Sequence, residues 1–234
     1  MALINLLNTY SAELLHWIYP VYCPCCERSV SGNRKGICHT CLQRLPLTPY
    51  HQEGNNPILE RLYGRIPLAH GMSMLRYEKS GMAQQLIHAL KYEKRPEIGE
   101  ALGELYGKRL LKDFGQINYT SIIPVPLHTK KRHKRGYNQS EEFAKGLSAS
   151  LQIPVYDKIL LRNRNASTQT ALSREARWNN VAMDYELRNE AILSNQHILL
   201  VDDVLTTGAT LEACGRILLS IPHITLSVAT IAIA

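Results

Sequence analysis

The stretch Ile198-Leu199-Leu200-Val201-Asp202-Asp203-Val204-Leu205-Thr206-Thr207-Gly208-Ala209-Thr210-Leu211 constrains the fold of this chain more than any other. Ile198–Val201 is apolar without a break, as in a central strand covered on both faces. Two adjacent carboxylates close that strand. A turn of small residues and hydroxyls follows, and a helix is expected to begin near Ala209. Strand, short polar turn and helix make half of a βαβ unit, so the chain is expected to be α/β with a mostly parallel sheet.

The same stretch has a chemical reading. In open α/β sheets ligands bind at the carboxyl ends of strands. A helix N-terminus there offers free backbone N–H groups and a positive dipole to an anion. Gly208 lets the backbone approach the anion closely. Thr206, Thr207 and Thr210 add hydroxyls, and nothing in Thr206–Thr210 is acidic. Asp202 and Asp203 repel each other and are costly to desolvate unless paired, and sugar hydroxyls are donors suited to them. The turn is therefore expected to hold a sugar 5′-phosphate and the acids the 2′- and 3′-hydroxyls.

Other segments continue the alternation of helix and strand. Met82–Lys91, Ile98–Leu111 and Glu141–Leu151 read as helices, the last with Asn138 as N-cap and Glu141 three residues on. Gly71–Tyr77, Ser121–Val125, Ile159–Leu161 and Ile224–Ile233 read as strands, and Leu211–Ile221 as the helix after the turn, with Cys214 in the core. Residues 2–18 carry Leu3, Leu6, Tyr10, Leu14 and Ile18 at helical spacing. Composition divides the chain into residues 1–45, 46–80 and 81–234.

No Asp or Glu occurs between Asp113 and Glu141, and within that gap stand Lys130, Lys131, Arg132, Lys134, Arg135 and Gly136. They follow the strand Ser121–Val125, so a basic loop is expected at a second strand end, fit to hold a pyrophosphate. A nucleic-acid contact is the competing reading, since the chain carries a formal charge of +7. A further polar stretch with Arg162, Arg164, Thr168 and Gln169 reads as a flexible loop able to contact substrate.

Five of the six cysteines lie between Cys23 and Cys41. Cys23-x-x-Cys26 and Cys38-x-x-Cys41, eleven residues apart, suit a tetrahedral Zn²⁺ with no open position, hence a structural ion. Cys25 leaves a slipped ligand set open. Residues 2–18 carry no early Lys or Arg and do not read as a signal peptide, so a cytoplasmic location with reduced thiols is expected, where a cysteine cluster points to metal. No segment has the ~18–20 apolar residues of a membrane span, so no membrane insertion is expected.

The ordered match of apolar strand, two acids, aliphatic pair and Thr-Thr-Gly-x-Thr resembles the phosphoribosyl pyrophosphate (PRPP) signature of type I phosphoribosyltransferases. With Pro124-Val125-Pro126, Lys134-Arg135-Gly136-Tyr137 and the cysteine pairs, the chain resembles the ComF competence family over residues 20–234. The resemblance implies a type I phosphoribosyltransferase fold, with a Rossmann-like parallel sheet over 81–234, behind a small N-terminal Cys₄ zinc ribbon. It implies that 46–80 and the zinc ribbon serve as a hood for acceptor recognition; Tyr63, Tyr77 and Tyr92 are aromatics able to stack on a base. PRPP with Mg²⁺ is the implied ligand, Asp202 and Asp203 the catalytic pair, and natural DNA uptake the implied role. Single-stranded DNA and competence helicase-type proteins are the implied partners. The resemblance leaves open whether the chain turns over PRPP or binds it as a regulator.

Overall fold

The computed structural model describes residues 20–30, 36–162, 185–188 and 190–234. Its centre is a four-stranded parallel sheet in the order β1-β6-β5-β2, where β1 is His70–Arg76, β2 Ser121–Pro124, β5 His197–Leu205 and β6 Thr225–Ile233. A separate antiparallel pair joins β3 (Leu160–Arg162) to β4 (Tyr185–Leu187). The sheet is parallel, as the alternation of segments implies.

Helices cover both faces. On one lie α3 (Met82–Tyr92), α4 (Pro96–Phe114) and α6 (Gln139–Leu151), packed on Leu199 and Val201 of β5. On the other lie α2 (Pro57–Leu62) and α7 (Ala209–Leu218), packed on Ile198 and Leu200. The period of two thus operates inside an apolar run that conceals it, because both faces of this strand are core. Helices α4 and α6 cross with backbones in contact: a Cβ on Gly103 would lie 2.2 Å from the Phe143 carbonyl oxygen, and one on Gly146 2.0 Å from that of Glu100. Only glycine permits that approach.

The structure changes three expectations. The central strand does not stop before the acids. Val204 and Leu205 keep pairing with β6, so Asp202 and Asp203 stand within the strand's last turn of pleat. The strand expected in the 46–80 segment is an edge of the main sheet, register-locked to β6 from His70↔Ser227 to Arg76↔Ile233, and so is continuous with the body. Helix α7 spans Ala209–Leu218: it begins at Ala209, as the turn implies, and ends three residues before the expected Ile221. The helical pattern seen in residues 2–18 lies outside the described residues.

Residues 20–30 and 36–45, the latter with the short helix α1 (His39–Gln43), pack on the same core. Cys23, Val30, Ile37 and Cys41 join the cluster formed by α3 and α4. Arg95, just before α4, donates to the carbonyls of Tyr22 (2.7 Å) and Gly36 (2.9 Å). Cys214 is fully buried in α7, as expected of a core thiol.

Candidate functional site

At the carboxyl end of β5 the two acids have distinct partners. Asp202 Oδ1 accepts from Ser140 Oγ at 3.0 Å and from the Asp203 N–H at 2.8 Å. Asp203 Oδ2 lies 2.8 Å from Lys91 Nζ at the end of α3. Burial, and then the charge of Asp203, push the Asp202 carboxyl up to about 7. A group held there can donate as well as accept near neutral pH.

Thr206, Thr207 and Gly208 form the turn between β5 and α7, with Gly208 left-handed (φ +80°) as N-cap. Their amide N–H groups have no partner among the described residues. The turn's carbonyls do have partners. Arg61 Nη1 donates to the oxygens of Leu205 (3.5 Å), Thr206 and Ala234 (2.6 Å), and Arg65 Nη1 to that of Thr207 (2.7 Å). Arg61 stands on α2 because Asn56-Pro57 starts a helix there. The Asn56 side chain accepts from the amides of Ile58 and Leu59 and donates to Gly71 O of β1, fixing α2 to the sheet.

The basic stretch is not a loop. Residues Thr129–Arg135 form a helix, α5, with His128 capping Lys130 N and Gly136 ending it in the left-handed region (φ 87°). The charge run hid this: Lys and Arg are good helix formers, and the cap and the glycine stop flank them. Arg132 is committed to Glu141 through two bonds of 2.6 and 3.0 Å. Arg135 donates to Gln139 Oε1 (2.7 Å) and lies 5.5 Å from the centre of the Tyr92 ring.

A cavity of about 640 Å³ unites these parts. Its wall holds Asp202, Asp203, Thr206 and Thr210, and facing them Lys91, Lys131, Arg135 and Arg162. Thr207, Gly208 and Ala209 flank it in the turn. Lys130, Arg132, Lys134 and Gly136, all exposed, are not among its lining residues. Arg162 ends β3 with its guanidinium 5.4 Å from the Tyr185 ring centre. Arg164, Thr168 and Gln169 lie outside the described residues. Of the tyrosines, Tyr77 and Tyr92 reach the cavity and Tyr63 does not. Sequence reasoning missed Lys91, Ser140, Arg61 and Arg65.

The four sulfurs of Cys23, Cys26, Cys38 and Cys41 lie within 4.8 Å of one another, Cys26 and Cys38 at 3.6 Å. A Zn–S bond of ~2.3 Å in a tetrahedron needs S···S near 3.8 Å, so this set fits zinc. Cys25 turns away instead, its thiol 4.0 Å from Met82 O, and burial pushes it up to about 12. Burial would also raise Cys23, but amides of Cys38, Cys25 and Cys26 directed at its sulfur bring it down to about 7. Burial, and then the neighbouring thiols, push Cys41 the other way, well above the usual thiol range.

Parallel sheet, small-residue turn and paired acids together define a protein of the type I phosphoribosyltransferase fold. Residues 137–231 match the phosphoribosyl transferase domain model. The chain is 30% identical over 212 residues to DNA utilization protein YhgH of Escherichia coli O157:H7, covering 87% of this chain and 85% of that one. It is 37% identical over 102 residues to Competence protein F of Haemophilus influenzae, covering 42% and 43%. Among solved structures, adenine phosphoribosyltransferase from Saccharomyces cerevisiae is 14% identical, covering 61% and 72%, with a TM-score of 0.39. The chain belongs to the ComF family of phosphoribosyltransferase-like proteins. Among the described residues no helix is long and apolar enough to cross a membrane.

Proposed function

We propose that the chain binds PRPP in the 640 Å³ cavity and serves DNA uptake, as the names of its relatives imply for them. The observation that carries the binding reading is the run of three successive amides at the start of α7 without partners among the described residues, beside two carboxylates whose side-chain partners there are a hydroxyl and an ammonium. In this reading the 5′-phosphate sits on the amides of Thr206, Thr207 and Gly208 and the hydroxyl of Thr210. Asp202 and Asp203 take the ribose 2′- and 3′-hydroxyls. Lys91 then exchanges its carboxylate for the incoming pyrophosphate, which Lys131 and Arg135 also face.

Transfer breaks the bond from ribose C1 to the pyrophosphate oxygen and forms one from C1 to an acceptor. The electron pair leaves with pyrophosphate. The chain needs no covalent nucleophile for this. It fixes the sugar and stabilises the leaving group electrostatically. Mg²⁺, when bound with PRPP, neutralises pyrophosphate charge. An acceptor enters along the remaining wall, where α3 presents Gln84, His88 and Tyr92. Zinc, when bound by the four thiolates, would hold residues 20–30 and 36–45 against α3 and α4 and would have no part in the chemistry.

Calorimetric titration with PRPP and Mg²⁺ tests the site. Wild type is expected to bind, and Asp203→Asn to bind at least tenfold more weakly, since it loses a charge-assisted contact worth about 1.5–3 kcal/mol. Equal affinity in the two proteins would remove the acids from the site. Pyrophosphate release across a panel of nucleobases and amines then separates turnover from binding alone.

A further inference from the structure

The three carbonyls that meet Arg61 and Arg65 belong to consecutive residues, Leu205 at the end of β5, where it also accepts from Ala234 N (3.0 Å), and Thr206 and Thr207 in the turn. In a trans peptide the C=O of one residue and the N–H of the next lie in one plane and point in opposite directions. Turning those three carbonyls toward two guanidiniums therefore turns the N–H groups of Thr206, Thr207 and Gly208 the other way. We propose that Arg61 and Arg65 are positioning residues: by donating to the back of this turn they hold its amides in the anion-receiving direction. The proposal rests on reading the turn as a 5′-phosphate site.

Three features of the packing support it. A flipped peptide in the turn would present a carbonyl to the phosphate and leave a guanidinium without its acceptor, and desolvated groups of this kind need partners. One guanidinium reaches several carbonyls at once, which an ammonium on a flexible stem does less well. Gly208 is pressed against the same brace: a Cβ there would lie 3.1 Å from Arg65 Nη1 and 2.9 Å from Leu62 Cδ2.

Charge points the same way. Glu212, buried in the first turn of α7, would oppose an anion at that helix start. Arg65 Nε lies 2.7 Å from its Oε2, and Arg216 Nε 3.0 Å from its Oε1. The pair of arginines offsets that carboxylate and leaves the back of the turn net positive. Arg61 and Arg65 thus make part of the 46–80 segment a brace under the phosphate turn.

The test titrates three ligands, PRPP with Mg²⁺, ribose 5-phosphate and inorganic pyrophosphate, into wild type, Arg61→Met, Arg65→Met and Arg65→Lys. Each Met variant should bind PRPP and ribose 5-phosphate about tenfold more weakly, the loss of one bond from a charged donor. Pyrophosphate, held at the Lys131 end, should bind within twofold of wild type. Arg65→Lys should recover part of the loss, and carries the test should a Met variant fail to fold. Unchanged ribose 5-phosphate affinity would overturn the brace. Equal weakening of all three ligands with a lowered melting temperature would reduce it to general support. A wild type that takes up pyrophosphate but no ribose 5-phosphate would instead bring down the underlying reading of the turn.

Discussion

Replacing Asp202 by Asn should make the protein more stable, and increasingly so as pH rises. Burial and the neighbouring Asp203 lift the Asp202 carboxyl from 3.8 to about 7 in the folded chain. Between those values the folded protein keeps a proton that the unfolded chain has released. Stability from this group is then complete below the unfolded value and is lost as pH climbs to the folded one. At about 1.36 kcal/mol per pKa unit, the penalty in wild type grows by about 2–3 kcal/mol between about pH 5 and about pH 8. Asn has no charge to desolvate at either pH and retains an oxygen for Ser140 Oγ. Urea unfolding of both proteins at the two pH values reads the difference directly. The Asp202→Asn advantage should widen by that amount, while PRPP affinity falls. An advantage that stays constant with pH, or a variant less stable at the higher pH, would refute the claim that folding traps this carboxyl against its ordinary ionisation.

Gly103→Ala sets two effects against each other: helix propensity favours Ala by about 1 kcal/mol, but the new Cβ would meet the Phe143 carbonyl oxygen at 2.2 Å. Overpacking against backbone should win by about 2 kcal/mol, a fall of about 4–8 °C in melting temperature, and an unchanged melting temperature would mean that α4 and α6 can separate freely. Metal analysis should find about one zinc per chain and none in Cys26→Ser, with Cys25→Ser retaining it because its thiol faces Met82 instead of the other four.

What could be read from the residues was local. Asp202, Asp203 and Thr206–Thr210 are contiguous, so strand, turn and cap announce themselves together, and the cysteine pairs carry their own spacing. The partners of the same site are distant: Arg61 and Arg65 lie more than 140 positions from the carbonyls they hold, and no periodicity marks them. Lys91 and Ser140 are ordinary polar residues on helices until the sheet brings them to the acids. The basic run looks like a loop by its charge alone, yet Lys and Arg favour helix and His128 and Gly136 frame one. Gly99, Gly103 and Gly107, spaced four apart in α4, were a legible signal of a close helix crossing that went unused.

The strand order carries a consequence for biosynthesis. β6 comes last in chain order among the described strands yet lies between β1 and β5. Until residues 225–233 leave the ribosome, β1 and β5 each present an unsatisfied ladder across a gap one strand wide. The edge of β1 thus stays open from residue 76 until β6 is made, and that of β5 joins it at residue 205, the exposure that draws chaperones and invites aggregation. Closure of that gap in the middle of the sheet joins β1 to β5 and brings Ala234, next after β6, to the cavity wall.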